Sequence, residues 1–291
     1  MIAEWLTYGW FRLLAGLAGS LLIAGLAYRR SSLSASGAWS AAAMGTAYFV
    51  LGGPVWFGTL IAFFISSTLW SRWKHSSRAK HAAEANYAKG SRRDGMQVWA
   101  NGGLGLVLCA AHAWHPDPLW LFAFAGVLAS VNADTWATEI GALSKSQPRA
   151  LLTGKLVPAG TSGGVTLLGS LAALGGAAFI GLCAALLSQA APISAPGALV
   201  QTELTAIATL VLIIAAAVSG LAGAFADSLI GASGQVMYRC PACARETERR
   251  VHCNVQTVRI RGWSWMNNDA VNFVSSAFAG VLAILLYRLF I

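Results

Sequence analysis

Four acids, Asp134, Glu139, Asp227 and Asp269, lie within or against long apolar stretches, each among amides and hydroxyls. Asn132 and Thr135 share a stretch with Asp134 and Glu139. Ser228 follows Asp227, and Asn267, Asn268 and Asn272 surround Asp269. Arg93, Asp94, Gln97 and Asn101 open a further apolar run, and Ser66, Ser67 and Thr68 end another. Ionisable groups inside membrane helices are costly and usually functional. Helix capping or pairing with a loop arginine accounts equally well for any one of them, but not for the whole set if it gathers at one depth. Helical spacing puts Asn132, Thr135 and Glu139 on one face, as it does Arg93, Gln97 and Asn101. Asp134 lies nearer Thr138, so Asp134 and Glu139 need not share an ion. Ser219, Gly223, Asp227 and Gly231 form a stripe of small residues that admits a close neighbour, with a carboxylate in it. Asp269 and Asn272 share a face.

Several carboxylates with amides and hydroxyls suit Mg²⁺, which prefers oxygen ligands, keeps waters and bridges to phosphates. Gly160-Thr161-Ser162-Gly163-Gly164, running toward an apolar stretch, offers backbone N–H groups and a positive helix end for phosphate oxygens. A plain turn explains that segment equally well, and no lysine stands where a P-loop requires one. No Ser-His-Asp arrangement stands out. The chemistry these residues point to is phosphoryl or nucleotidyl transfer, in which positioning and charge neutralisation do most of the catalysis. Of the five cysteines, Cys109 and Cys183 sit singly in apolar stretches and pack as small apolar groups. Cys240, Cys243, His252 and Cys253 share the loop 238–262 and fit a structural Cys₃His zinc site, with reduced thiols as the alternative.

The elements that must position these groups are membrane helices. The chain of 291 residues is 56% hydrophobic and 11% charged, where soluble domains carry about 25% charged residues. Mean hydropathy is +0.60. With about 20 apolar residues needed per crossing, the spacing predicts an all-α, polytopic integral membrane protein forming a single transmembrane domain. Eight spans are expected, near 9–28, 35–52, 54–71, 96–114, 118–140, 163–187, 203–226 and 268–290. Gly52-Gly53-Pro54 turns the second into the third as a tight hairpin. Of the 20 Lys and Arg residues, all but Arg12 and Arg288 fall on alternate loops. That basic balance is a topology signal and not a nucleic-acid one. It predicts both termini outside and the polar groups at the cytoplasmic face of the cell membrane. The first apolar stretch runs into Arg29-Arg30 and reads as a retained anchor. Residues 72–95 read as a basic amphipathic helix at the lipid headgroups, and 188–202 as a Ser/Ala/Pro linker.

The motifs also resemble a known family. Asn132-Ala133-Asp134-Thr135-Trp136-Ala137-Thr138-Glu139-Ile140-Gly141 looks like the signature of the phytyl-phosphate kinases, an integral-membrane family of prenyl-phosphate kinases. Arg93-Asp94-x-x-Gln97, Gly160 to Gly164, Gly223-x-x-x-Asp227-Ser228 and Asn268-Asp269-x-Val271-Asn272 match it in order, over nearly the whole chain. The resemblance implies transfer of a phosphoryl group from a nucleoside triphosphate, CTP being one candidate, to a prenyl monophosphate such as phytyl phosphate. It implies Mg²⁺ on Asp134, Glu139, Asp227 and Asp269, and nucleotide phosphates at Thr161, Ser162, Gly163 and Gly164. Arg93, with Lys74 or Lys155, would neutralise the lipid phosphate. It also implies that the Cys/His loop is dispensable to the chemistry. The Asp-Thr-x-x-x-Glu pattern is similar to that of dolichol kinase and phosphatidate cytidylyltransferase, so a CTP-dependent lipid cytidylyltransferase stands as an alternative. A lipid transporter or flippase is another, although transporter sites tend to lie at the bilayer midplane. A non-catalytic assembly factor docking through the Cys/His loop is the third.

Overall fold

The computed structural model describes residues 2–73, 92–191 and 204–291, with side chains from residue 9 onward. Most of the basic segment, Lys74 included, and most of the 188–202 linker lie outside the described residues. Side-chain oxygens start the helices. Ser34 caps α2 (Ala35–Arg72), and Asp94 and Gln97 form a capping box on α3 (Gly95–Trp114). Asp117, followed by Pro118, caps α4 (Pro118–Gly141). Thr166, Thr205 and Asn267 cap α5 (Leu167–Ala190), α6 (Ala206–Ser233) and α7 (Asn268–Phe290). Each cap accepts a hydrogen bond from an N–H that the helix itself leaves open. The N-terminal helix α1 (Ile2–Arg29) packs along α2.

Six of these helices are long and apolar enough to cross a membrane, counting α2 once. The remaining one, α3, spans 20 residues but carries Gln97, Asn101 and His112. The 38 residues of α2 form two helical arms that break at Gly53, whose φ of 68° and ψ of −156° are non-helical. Glycine is needed there because a side chain would be strained at positive φ. The arms on either side fold back on one another. Met44 from the first and Leu60 from the second both pack on Gly102; in a straight helix they would lie about 24 Å apart. Phe49 and Phe57 meet edge-on at 5.5 Å between centroids.

Helix α4 is the hub. Every residue from Leu121 to Ala133 is buried, and α4 packs against α2, α3, α5, α6 and α7. Its closest approaches use small residues. A Cβ at Gly126 would stand 2.7 Å from the Ala283 Cβ of α7, and one at Gly220 of α6 would stand 2.6 Å from the Ala129 Cβ. α1 begins at Ile2, ahead of the expected 9, and the helix ends nearest the site differ from the expected spans at α5 and α6. α5 starts at Leu167 and not at 163, because Gly163 adopts φ +78° and Gly164-Val165 forms β2, paired antiparallel with β1 (Arg149–Ala150). α6 runs on to Ser233, so Asp227 and Ser228 lie inside the helix. Beyond α6, short strands β3 (Met237–Arg239), β4 (Glu246–Thr247), β5 (Val251–His252), β6 (Val255–Gln256) and β7 (Val258–Arg261) precede α7. β3 pairs with β4 and β7, and β5 with β6.

Gly126→Leu is expected to destabilise the bundle by about 1–3 kcal/mol through overpacking. This should appear as a lower thermal unfolding midpoint in detergent; an unchanged midpoint would contradict so close an approach of α4 and α7.

Candidate active site

At one end of the bundle, where α4 and α6 finish and α3, α5 and α7 begin, a cavity of about 850 Å³ is lined by polar groups from every one of these helices. Helix α4 contributes Asp134, Thr135, Thr138 and Glu139, and α6 contributes Asp227 and Ser228. The start of α7 adds Asn268, Asp269 and Asn272, Arg93 stands just ahead of α3, and the start of α3 adds Gln97 and Asn101. Thr161, Ser162, Gly163 and Gly164 come from the loop ahead of α5. The carboxylates of Asp134 and Asp227 are close enough to repel each other. Ser275 Oγ donates to Asp227 Oδ2 at 3.0 Å, and Asn272 Nδ2 reaches Asn101 Oδ1 at 3.5 Å, joining α7 to α6 and α3.

Arg93 is held by its backbone. Its N–H donates to Ser32 O at 2.9 Å, and its carbonyl accepts from Ser34 N at 2.9 Å. The guanidinium lies over the Phe63 and Phe64 rings, 5.6 and 5.9 Å from their centroids. Burial draws its pKa down to about 10, against the Glu139 carboxylate, which raises it. It therefore stays cationic at neutral pH. A second, narrower and nearly apolar cavity lies between α1, the arms of α2 and α3, and Arg93, Gln97 and Asn101 line both.

The glycine-rich segment is a turn followed by a strand, not a helix N-terminus. Thr161 N donates to Pro158 O and Gly164 N to Thr161 O, while among the described residues the N–H groups of Ser162 and Gly163 take no part in the loop's own backbone bonding. Gly163 presses on α6: a Cβ there would collide with Ala232 and stand 2.8 Å from Ser228 O. Ser162 Oγ donates to Gln235 Oε1 at 2.9 Å.

Some expected members stand elsewhere. Asn132 is fully buried and does not line the cavity. Its Nδ2 donates to Gly176 O at 2.8 Å and its Oδ1 accepts from Ser66 Oγ at 3.0 Å, so the amide ties α4 to α5 and α2. Ser66 and Ser67 are likewise buried, bonded back to Phe63 O. Conversely, Ser71, Gln235, Tyr238, Glu248, Arg249 and Arg250 line the cavity without a sequence signal of their own. Glu248 lay in plain view as the one acid of Thr-Glu-Arg-Arg, but within the cysteine loop.

In that loop Cys240, Cys243, His252 and Cys253 place their ligand atoms within 4.8 Å of one another, an arrangement that could hold a metal ion. The adjacent His252-Cys253 pair turns inward because Cys253 and Asn254, with φ of 52° and 59°, form a tight two-residue turn between β5 and β6. His252 Nδ1 lies 3.2 Å from Cys253 Sγ and 3.5 Å from Cys243 Sγ. Desolvation raises the Cys240 pKa, but hydrogen bonds with His252, Cys243 and Ala242 prevail and bring it down to about 6. A metal would bind the thiolate form of these cysteines. Among the described residues no three carboxylates gather as tightly as this set.

Comparison with known proteins gives the family. The profile of the integral membrane protein DUF92 matches residues 18–280. The chain belongs to the DUF92 family. That agrees with the likeness carried by the five motifs. Among relatives of this chain, Protein PGR of Arabidopsis thaliana is 30% identical over 279 residues, covering 91% of this chain and 92% of its own. Protein VTE6, chloroplastic, from the same plant is 25% identical over 263 residues, covering 89% of this chain and 66% of its own. The uncharacterized membrane protein MJ0933 of Methanocaldococcus jannaschii is 28% identical over 229 residues, covering 78% and 74%. No solved structure matches the chain.

Purified DUF92 protein from this chain is expected to carry one zinc per molecule by inductively coupled plasma mass spectrometry. Cys243→Ser should lose it; zinc retained at full stoichiometry by that variant would rule out the four-ligand assignment.

Proposed function

We propose that this protein is a Mg²⁺-dependent prenyl-phosphate kinase of the cell membrane, moving a phosphoryl group from a nucleoside triphosphate, CTP being one candidate, to a prenyl monophosphate such as phytyl phosphate. The observation that carries this reading is the meeting of Asp134, Glu139, Asp227, Asp269 and the Thr161–Gly164 loop around one cavity. Eight crossings within one transmembrane domain, both termini outside and a cavity open to the cytoplasm complete the proposal, supported by the bent α2 and the alternating basic loops.

Like-charged Asp134 and Asp227 held together at a lipid-embedded site call for a cation, and their oxygen chemistry fits magnesium. When bound, magnesium supplies charge neutralisation at the transferred phosphate. The N–H groups of Ser162 and Gly163, with the first turns of α3, α5 and α7, offer positive partial charge to the nucleotide phosphates. Arg93 binds the acceptor phosphate at the mouth of the apolar slot, and the slot takes the start of the prenyl tail. An acceptor oxygen, already ionised, attacks the γ-phosphorus. The bond from that phosphorus to the bridging oxygen breaks, the nucleoside diphosphate leaves, and a prenyl diphosphate forms. No strong general base is required.

The test is turnover of labelled CTP and other nucleotides with several prenyl monophosphates and Mg²⁺ in detergent. A nucleoside diphosphate leaving group is expected; pyrophosphate would make the protein a cytidylyltransferase, and no turnover in any pairing would favour transport or assembly roles. Asp134→Asn and Asp227→Asn should each lower kcat by about 10²-fold or more, and undiminished turnover would remove them from the site. Gly163→Ala should raise KM for the nucleotide several-fold with less effect on the prenyl phosphate, because the added methyl pushes the loop off α6; equal effects on both substrates would count against a phosphate cradle there.

A further inference from the structure

The small sheet after α6 reaches over the cavity. Tyr238 on β3 lines it, as do Glu248, Arg249 and Arg250 between β4 and β5. Glu248 Oε1 accepts from Gln235 Nε2 at 2.8 Å, and Gln235 in turn accepts from Ser162, so one amide links the sheet to the glycine-rich loop. The Glu248 carboxylate is near enough to repel both Asp134 and Asp227. Its segment is braced from behind. Thr257 donates to Arg249 O through Oγ1 at 2.8 Å and to Arg250 O through its N–H at 3.0 Å. Cys240 and Cys243 precede this segment, and His252 and Cys253 follow it. A metal gathered between the two pairs closes the intervening loop at its base, removing chain entropy that otherwise favours an open loop. At the other edge, Arg261 Nη1 donates to Gly231 O and Ala232 O at 3.0 and 2.7 Å, fixing the sheet to the end of α6.

We propose, resting on the kinase reading, that Glu248 completes the carboxylate set around the divalent cation, directly or through a bridging water, and that zinc on Cys240, Cys243, His252 and Cys253 clips it there. Glu248 is a catalytic residue and the four metal ligands are positioning residues. The Cys/His loop is then part of the phosphate-binding machinery, not a dispensable appendage.

The experiment titrates Mn²⁺, as a stand-in for Mg²⁺, into full-length protein in detergent with a non-hydrolysable nucleotide, reading bound Mn²⁺ by electron paramagnetic resonance and zinc by mass spectrometry. Glu248→Gln removes the charge but keeps an acceptor for Gln235. It is expected to retain zinc and bind Mn²⁺ about 10-fold or more weakly, with Glu248→Asp in between. Cys253→Ser should lose zinc and weaken Mn²⁺ comparably, and the double variant should be no weaker than either single one, since both act through the same carboxylate. Wild-type Mn²⁺ affinity in Glu248→Gln overturns the proposal. So does unchanged Mn²⁺ binding in zinc-free Cys253→Ser, or losses that multiply in the double variant. Wild-type protein that binds no Mn²⁺ overturns the kinase reading, and this inference with it.

Discussion

Helices α4 and α6 run side by side with almost nothing between them. Ala129 meets Gly220 where a side chain on the glycine would collide, and Gly223 packs as tightly on Ser130 of α4 and Ala279 of α7. One to two turns further on, the same two helices carry Asp134 and Asp227. Close contact at the small residues therefore brings two carboxylates to one cavity at the end of an apolar bundle, where each raises the cost of charging the other. Apart from compensation such an arrangement is unfavourable, and the end of the bundle is built to supply it. Helix N-termini of α3, α5 and α7 face the same space, Arg93 lies beside Glu139, and Ser275 donates to Asp227. These contributions suit a site that exchanges bound anions and cations rather than a sealed ion pair.

The loops at that end are fixed from outside the membrane segments. Gly163 fits against Ala232 and Ser228 only because it lacks a Cβ and tolerates positive φ. Arg261 then covers the last carbonyls of α6, groups that a helix leaves without intrahelical partners. The glycine-rich turn, the end of α6 and the small sheet thus share one set of contacts through Ser162, Gln235 and Glu248.

Much of this can be read from the chain, for definite reasons. Asp134, Asp227 and Asp269 stand out because carboxylates are rare in apolar stretches, and alternation of basic loops assigns them to one end. Gly53 announces the bend in α2 through the Gly-Gly-Pro run. Asn132 is the instructive miss. Its spacing from Thr135 and Glu139 places it on their side of α4, but a side chain at the border of that arc chooses its partners by what packs there. The carbonyl of Gly176, exposed by a residue without a side chain, takes the Asn132 amide into the interface. Glu248 and Gln235 escape for a different reason. They flank strands of two or three residues, too short for periodicity to report which side faces the cavity, and their place at the cavity with Asp134 depends on contacts distant in sequence. The start of α5 shifts from 163 to 167 because turn geometry at Gly163 overrides the apolar run that follows it.

Arg93 borders both cavities, and on the proposed kinase reading they serve one substrate. It borders a polar space lined by carboxylates and the glycine-rich loop and a nearly apolar slot walled by residues such as Met44, Phe57 and Leu60. A guanidinium over Phe63 and Phe64 keeps its charge while resting on hydrocarbon, so it can hold a phosphate without drawing water into the slot. On that reading a small soluble phosphate would leave the slot unused, and a lipid lacking an anionic head would leave the cavity face of the arginine unused. The proposed substrate, a phosphate at the end of a flexible apolar chain, would meet both, with its head beside the acids and its tail between α1, α2 and α3. The bend at Gly53 serves this geometry by bringing the two arms of α2 together as opposing walls of the slot.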